Sequence, residues 1–84
     1  MNNVLMRRVV VTNQYQPLAA NTAVVSVEIS TPPTNTGPVY FQGDDGSDVP
    51  WVPGEWHPFQ RVNLAQIKVK GTAGDIVTVV GGTW

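Results

Sequence analysis

The sequence has no cysteine, a single histidine and few charged residues. Without cysteine, neither a disulfide nor a cysteine-ligated metal ion can support a small core. Charged residues make up 13% of the 84 residues, about half of the usual share of roughly 25%. The net charge is −1 and only five residues are basic, too few to neutralise many phosphates, so we predict no nucleic-acid partner.

Long apolar runs are also missing from the chain. No stretch approaches the ~20 apolar residues of a membrane span, so we predict no membrane contact. The basic residues of MNNVLMRRVVV follow the first apolar residues, unlike the order in a secretory signal. A chain this short buries only somewhat over ~60% of the surface that its unfolded form exposes. Oligomerisation is the remaining common source of stability, so we predict a homo-oligomer without a cofactor.

What the sequence does contain is alternation of β-branched and polar residues, whereas helical periodicity is absent. The clearest predicted strand spans residues 22–30, where Ala23, Val25, Val27 and Ile29 fall on one face. A first strand is predicted within residues 6–12 and is apolar on both faces, which requires a second layer or a neighbouring subunit. Further strands are predicted at residues 39–42, at 59–62 leading into VNLAQIKVKG with Ile67 and Val69 facing inward, and at 75–80 with Val77 and Val79 sharing one face.

Proline and glycine mark the predicted turns. The three prolines of residues 31–38 cannot continue a strand ladder. In GDDGSD, residues 43–48, Gly43 and Gly46 are expected to supply positive φ angles. Residues 49–58 are predicted to form a proline-fixed loop, in which VPGE is a type II turn with Pro53 and Gly54 at its centre.

About seven short strands with regularly spaced turns predict an all-β fold, a small antiparallel β-sandwich or barrel. We expect a single domain over residues 1–84, with residues 1–8 as a candidate N-terminal arm and residues 81–84 as a C-terminal tail. Closing the sheets would also hide their apolar edges.

The sequence contains few residues of the types that form catalytic sites. His57 is the only histidine, and no Gly-x-Ser-x-Gly motif accompanies it, so a packed or interface histidine is favoured over a catalytic base. The acidic residues Asp44, Asp45 and Asp48 lack the alternate spacing of a calcium loop, and a solvated turn is favoured over a metal site. Nothing in the sequence raises the pKa of Glu55 or of these aspartates for glycoside hydrolysis. We predict no enzymatic activity.

Aromatic residues are concentrated in one part of the chain, because five of the seven fall within residues 40–59. A flat aromatic platform would suit a sugar ligand, whereas a core or subunit contact is the favoured interpretation. Trp84 follows Gly81 and Gly82, which suggests an interface anchor on a flexible hinge. The candidate interface residues are Arg7, Arg8, Tyr40, Trp51, Trp56, His57, Phe59 and Trp84.

Three segments, TNTGPVYFQGDDG, VPWVPGEW and VNLAQIKVKGTAGDIVTVV, together resemble a module of tailed-bacteriophage structural proteins. In that module a T-N-x-G strand start precedes an L-x-P-G-E loop and an N-L-x-x-I-x-V-x-G-T-A-G-D-x-V strand pair. The resemblance covers roughly residues 21–80. The positions that match as fold determinants are Asn35, Gly37, Pro53, Gly54, Glu55, Asn63, Leu64 and Gly71 to Asp75. The chain departs from the pattern at Lys68, where an aromatic residue is common, and in its aromatic-rich VPWVPGEWHPF.

The resemblance implies a small β-barrel or jelly-roll-like domain of the kind found in capsid decoration (cement) proteins, head fibres and other virion appendages. Its implied partner is the major capsid protein, and a homotrimer is favoured because the three-fold positions of a shell accept a three-fold partner. Such a protein is made in the host cytoplasm and lies on the capsid surface of the virion. The alternative is a carbohydrate-binding module of a fibre or tail appendage, which would use Tyr40, Trp51 and Trp56.

Overall fold

The computed structural model describes residues 3–20 and 24–83, which form an all-β fold. Eight strands follow one another within these described residues, and one 3-10 turn, Leu64–Gln66, lies between the sixth and the seventh. The strands are β1 (Asn3–Val10), β2 (Gln16–Pro17), β3 (Val24–Ser30), β4 (Val39–Gln42), β5 (Asp48–Trp51), β6 (Trp56–Asn63), β7 (Lys68–Lys70) and β8 (Ile76–Thr83).

The strands form two antiparallel four-stranded sheets. Sheet A has the order β1-β8-β3-β6 and sheet B the order β2-β7-β4-β5. Apart from the β4–β5 hairpin, every connection between consecutive strands crosses from one sheet to the other, which is the wrapping of a jelly roll. The predicted antiparallel sandwich is therefore confirmed, and the barrel alternative is not adopted. Two strands have no counterpart among the predicted segments: the two-residue β2, and β5, most of which lies in the predicted loop at residues 49–58 together with the start of β6.

The hydrophobic core fills the space between the two sheets. On β3 the buried residues are Val25, Val27 and Ile29, and on β8 they are Val77 and Val79. Both predicted faces are confirmed, except that Ala23 lies outside the described residues. Within the described part of the chain, no helix is long and apolar enough to cross a membrane.

The two ends of the described chain lie in adjacent strands of sheet A. β1 begins at Asn3, earlier than the predicted start at residue 6, and pairs with β8 from Asn3↔Thr83 to Val10↔Ile76. Residues 3–8 of the predicted arm thus form regular strand structure. Residues 81–83 of the predicted tail do so as well, because Gly81 and Gly82 pair with both β1 and β3. The expectation that Gly81 and Gly82 form a flexible hinge is therefore wrong.

The predicted VPGE turn is confirmed. The Glu55 N–H donates to the Val52 carbonyl at 3.0 Å, and Gly54 has a φ of 90°, as the third position of a type II turn requires. In the β4–β5 hairpin, Gly46 has the expected positive φ of 85°. The same expectation for Gly43 is wrong, because Gly46 is the only residue of this hairpin with a positive φ. The Gly43 N–H donates to the Ser47 carbonyl across the turn.

Polar side chains tie the β3–β4 loop to the start of β8. The Asn35 side chain donates to the Ile76 carbonyl and accepts from the Ile76 N–H, both at 2.9 Å. The buried Asp75 carboxylate accepts from the N–H and hydroxyl of Thr36 and from the N–H of Gly37. These contacts explain physically why Asn and Asp stand at two positions of the T-N-x-G and G-T-A-G-D motifs.

Candidate interaction surface

The aromatic cluster predicted to form an interface is partly internal. Trp51 is only 5% exposed, because it faces the core at the end of β5. Its ring stacks on Phe41 with centroids 3.7 Å apart, and Phe59 packs against the same cluster at 6.3 Å from Trp51. The prediction that Trp51 contributes to a contact surface is therefore corrected: Trp51 is a core residue. Phe59 is partly buried and packs against that core.

His57 and Glu55 form a pair at the exposed side of this cluster. The His57 Nε2 atom lies 2.7 Å from Glu55 Oε2, and the His57 ring meets Trp51 edge-on at 4.7 Å. Glu55 Oε1 accepts from the Val52 N–H at 3.0 Å. The hydrogen bond to His57, followed by that to Val52, lowers the pKa of the Glu55 carboxyl. This pair clamps the VPGE turn onto the start of β6.

Two of the three aspartates of the β4–β5 hairpin, Asp45 and Asp48, have partners within the protein. Asp45 accepts from the N–H and the hydroxyl of Ser47, and these bonds lower its pKa. Asp48 accepts from the Tyr15 hydroxyl and lies 3.5 Å from Lys70 Nζ, contacts that lower its pKa. Across residues 3–20 and 24–83, no group of three acidic or histidine side chains is arranged to hold a metal ion.

Tyr15 was not singled out by the sequence, yet it joins three strands of sheet B. It precedes β2, its hydroxyl reaches Asp48 on β5, and Lys70 of β7 lies over its ring at 4.7 Å. Partial burial and the hydrogen bond to Asp48 raise the pKa of Tyr15 to about 12. No local pattern marks this contact, because Tyr15 and Asp48 are 33 residues apart in the chain.

The remaining candidate residues lie on opposite sides of the sandwich. Trp56 is 55% exposed and starts the edge strand β6 of sheet A, whereas Tyr40 lies on β4 of sheet B and is half-buried. With Trp51 in the core, these three residues do not form one flat platform. Arg7 and Arg8 are exposed on β1, and Trp84 lies outside the described residues.

An exposed apolar patch covers the outer face of β1 and β8. Val4, Met6 and Val10 project from β1 with exposures of 76%, 69% and 56%, and Val80 of β8, opposite Met6, is 50% exposed. Leu5, between Val4 and Met6, points into the core and is buried. We call Val4, Met6, Val10 and Val80 the β1–β8 patch. The both-face apolar character of the first predicted strand was its signal in the sequence.

Two open depressions lie elsewhere on the protein. One of about 280 Å³ is lined by Tyr40, Asn13, Lys70 and Thr72 beside the β7–β8 turn. The other, of about 530 Å³, lies at the β4–β5 hairpin end, where Phe59, Ile67 and Asp44 line it. Neither contains any member of the β1–β8 patch.

No family model, curated protein or solved structure matches the chain.

Proposed function

We propose that the chain is a non-enzymatic structural protein of tailed-bacteriophage virions, a decoration protein that binds major capsid subunits in the assembled shell. The β1–β8 patch is the observation that carries this proposal. Four large apolar side chains at least half exposed on one sheet face are costly in water and are typical of a surface that contacts another protein. The resemblance of the TNTG, PGE and GTAGD segments to virion modules supplies the class of partner.

The proposed mechanism is thermodynamic. A protein that contacts neighbouring shell subunits only when they are assembled binds the lattice and not the free subunits. Each bound copy then shifts the assembly equilibrium towards the closed shell by mass action. The low share of charged residues and the small core favour a chain that acts as a permanently assembled part. We further propose a homotrimer, which light scattering after size-exclusion chromatography would test; a strict monomer would contradict it.

Substitutions in the β1–β8 patch test whether this surface binds capsids. Met6→Lys and Val80→Lys place charge in the patch, whereas Val52→Lys places the same charge on a valine that is 60% exposed in the VPGE turn. Each purified protein is mixed with undecorated capsids and sedimented. We expect the Met6 and Val80 variants to remain in the supernatant and the Val52 variant to cosediment like the parent. Parent protein that does not bind capsids, or that electron microscopy places only on the tail, would contradict the proposal.

The second candidate function is glycan binding by a virion fibre or tail module. The observation in its favour is the depression of about 280 Å³, which is lined by the aromatic Tyr40 together with the polar residues Asn13, Lys70 and Thr72. A glycan array probed with the parent protein, with Tyr40→Ala and with Trp56→Ala as a distant aromatic control tests it. Loss of a glycan signal in the Tyr40 variant alone would support this function, and an array without any signal would refute it.

A further inference from the structure

The four sheet edges of the described residues differ in how well they are protected against another strand. β2 has only two residues and includes Pro17, and β5 has four and includes Pro50. β6 contains Pro58, and its pairing with β3 is interrupted by a bulge near Arg61, whose φ is 52°. Short strands, proline and bulges all hinder the addition of a further strand.

β1 has none of these protections. It is eight residues long, contains no proline and keeps an unbroken register with β8 over its whole length. Among the described residues it pairs with β8 alone, so its other backbone edge presents a row of N–H and C=O groups that no described strand satisfies. Such an edge is a template for an extended segment of another chain.

The side chains of β1 determine which segment fits. Arg7 and Arg8 are adjacent, so they project to opposite faces of sheet A, and both are exposed. Neither forms an ion pair with a described residue, since the two pairs there are His57–Glu55 and Lys70–Asp48. The exposed apolar residues Met6 and Val10 flank Arg8 on the outer face.

A second copy of β1 is a poor match for this edge. Antiparallel pairing about a two-fold axis brings the Arg7–Arg8 segments of both copies together near the axis, and like charges at that spacing destabilise a strand pair. An acidic segment instead places opposite charges directly across the ladder. The two arginines therefore act against self-association through this strand edge, which is compatible with a homotrimer formed through other surfaces, and they favour an acidic partner at the edge.

We propose that the free edge of β1 binds an extended segment of a partner protein in which two adjacent acidic residues, flanked by apolar residues, lie opposite Arg7 and Arg8. The segment adds a fifth strand to sheet A, beyond the four already present. Its apolar side chains extend the β1–β8 patch beside Met6 and Val10. The proposal deepens the proposed function by naming how the partner is bound, and it rests on that function only for the identity of the partner.

The first experiment measures the charge preference. A fluorescent peptide as long as β1, with a central Glu-Glu pair flanked by valine and threonine, is titrated with the folded protein and compared with its Lys-Lys analogue. We expect the Glu-Glu peptide to bind at least about tenfold more tightly, and less tightly as salt is added. The double variant Arg7→Glu/Arg8→Glu should reverse the preference. Lys68→Glu, a charge reversal at an exposed residue of β7 in the other sheet, should leave it unchanged.

The second experiment tests the strand geometry. In an antiparallel ladder, the N–H groups of alternate residues point towards the neighbouring strand. Two versions of the Glu-Glu peptide are therefore N-methylated at alternate residues, one version at the odd and one at the even positions. We expect one version to lose binding and the other to retain it. Circular dichroism of each protein variant confirms that the fold is intact.

Several outcomes would overturn the inference. They are equal binding of the two charge types, tolerance of both N-methylated peptides, and a self-association of the parent protein that the Glu-Glu peptide dissociates, since a second copy would then occupy the edge. If the Arg7→Glu/Arg8→Glu variant still binds capsids, strand addition to β1 is not how the protein binds the shell, but the proposed function is unaffected. If the protein binds the peptide but not capsids, strand addition is supported and the proposed function is contradicted.

Discussion

Asn35 and Ile76 are joined by two hydrogen bonds of 2.9 Å, in which the side-chain amide of Asn35 occupies both the N–H and the carbonyl of Ile76. The pair links residues that are 41 positions apart and fixes the proline-rich β3–β4 loop against the first residue of β8. An amide side chain can both donate and accept here, which aspartate cannot do when ionised.

We expect Asn35→Ala to lower the free energy of unfolding by about 1–3 kcal/mol, because it leaves two backbone groups of a partly buried site without their partners. Asn35→Asp should also destabilise, since the carboxylate accepts from the Ile76 N–H but cannot donate to its carbonyl. Urea unfolding followed by circular dichroism measures both. Asn13→Ala, on the exposed β1–β2 connection, is the control. An Asn35→Ala protein as stable as the control would contradict the role of this bridge.

Gly81 is predicted to tolerate no side chain. A Cβ atom at this position would lie 2.1 Å from the Ser26 carbonyl oxygen and 2.7 Å from Val27 Cα, both on the neighbouring strand β3. Backbone atoms cannot move aside without disturbing the β3–β8 ladder. We expect Gly81→Ala to lower the thermal midpoint strongly or to prevent folding. At Gly37 the nearest atom would be 3.6 Å away, so Gly37→Ala should fold normally. Equal midpoints for the two variants would refute this prediction.

Trp51 and Trp56 form a matched pair for separating core from surface. Trp51→Ala removes a ring stacked on Phe41 and should cost about 3–5 kcal/mol of unfolding free energy. Trp56 is 55% exposed, and Trp56→Ala should change stability much less. Denaturant titrations of both variants provide the measurement. A Trp56 variant that loses as much stability as the Trp51 variant would show that the outer tryptophan is structural too.

Tyr15 should make stability depend on alkaline pH. Its pKa is raised from 10.0 to about 12 in the folded protein, so its protonated hydroxyl stabilises the fold fully below pH 10. That contribution is lost as pH rises through about 12. We therefore expect the stability difference between the parent and Tyr15→Phe to be constant at neutral pH and to shrink through this window. Urea titrations at successive pH values measure the difference, and one that stays constant up to pH 12 would contradict the assignment.

The alternation of apolar residues was sufficient to predict β3 and β8 and the all-β sandwich. Alternation predicts which residues of a strand share a face, but when both faces are apolar it does not predict which of them the second sheet covers. For β1, Leu5 is covered and Met6 is not, although both are apolar. The turn at Pro53 and Gly54 was predictable because its conformation depends on local residue types.

The candidate site was harder to predict than the fold. The prolines of residues 49–58 predict a loop with Trp51 at a contact surface, whereas β5 turns that tryptophan into the core against Phe41. The contacts of Asn35 with Ile76 and of Tyr15 with Asp48 join distant parts of the chain. The sequence shows that these residues are polar, but no local pattern identifies their hydrogen-bond partners. Arg7 and Arg8 were recognisable as a pair, while their place on an open edge depends on the strand order.

The pairing of β1 with β8 also dictates an order of events during synthesis. β1 is synthesised before the other seven described strands, yet the strand that β1 pairs with is the last of these eight to emerge. Until β8 is available, the apolar residues of β1 have no intramolecular ladder to join, and contacts so distant in sequence form slowly. The nascent chain therefore completes sheet A only after its synthesis has reached β8, and its first strand is the one exposed for longest.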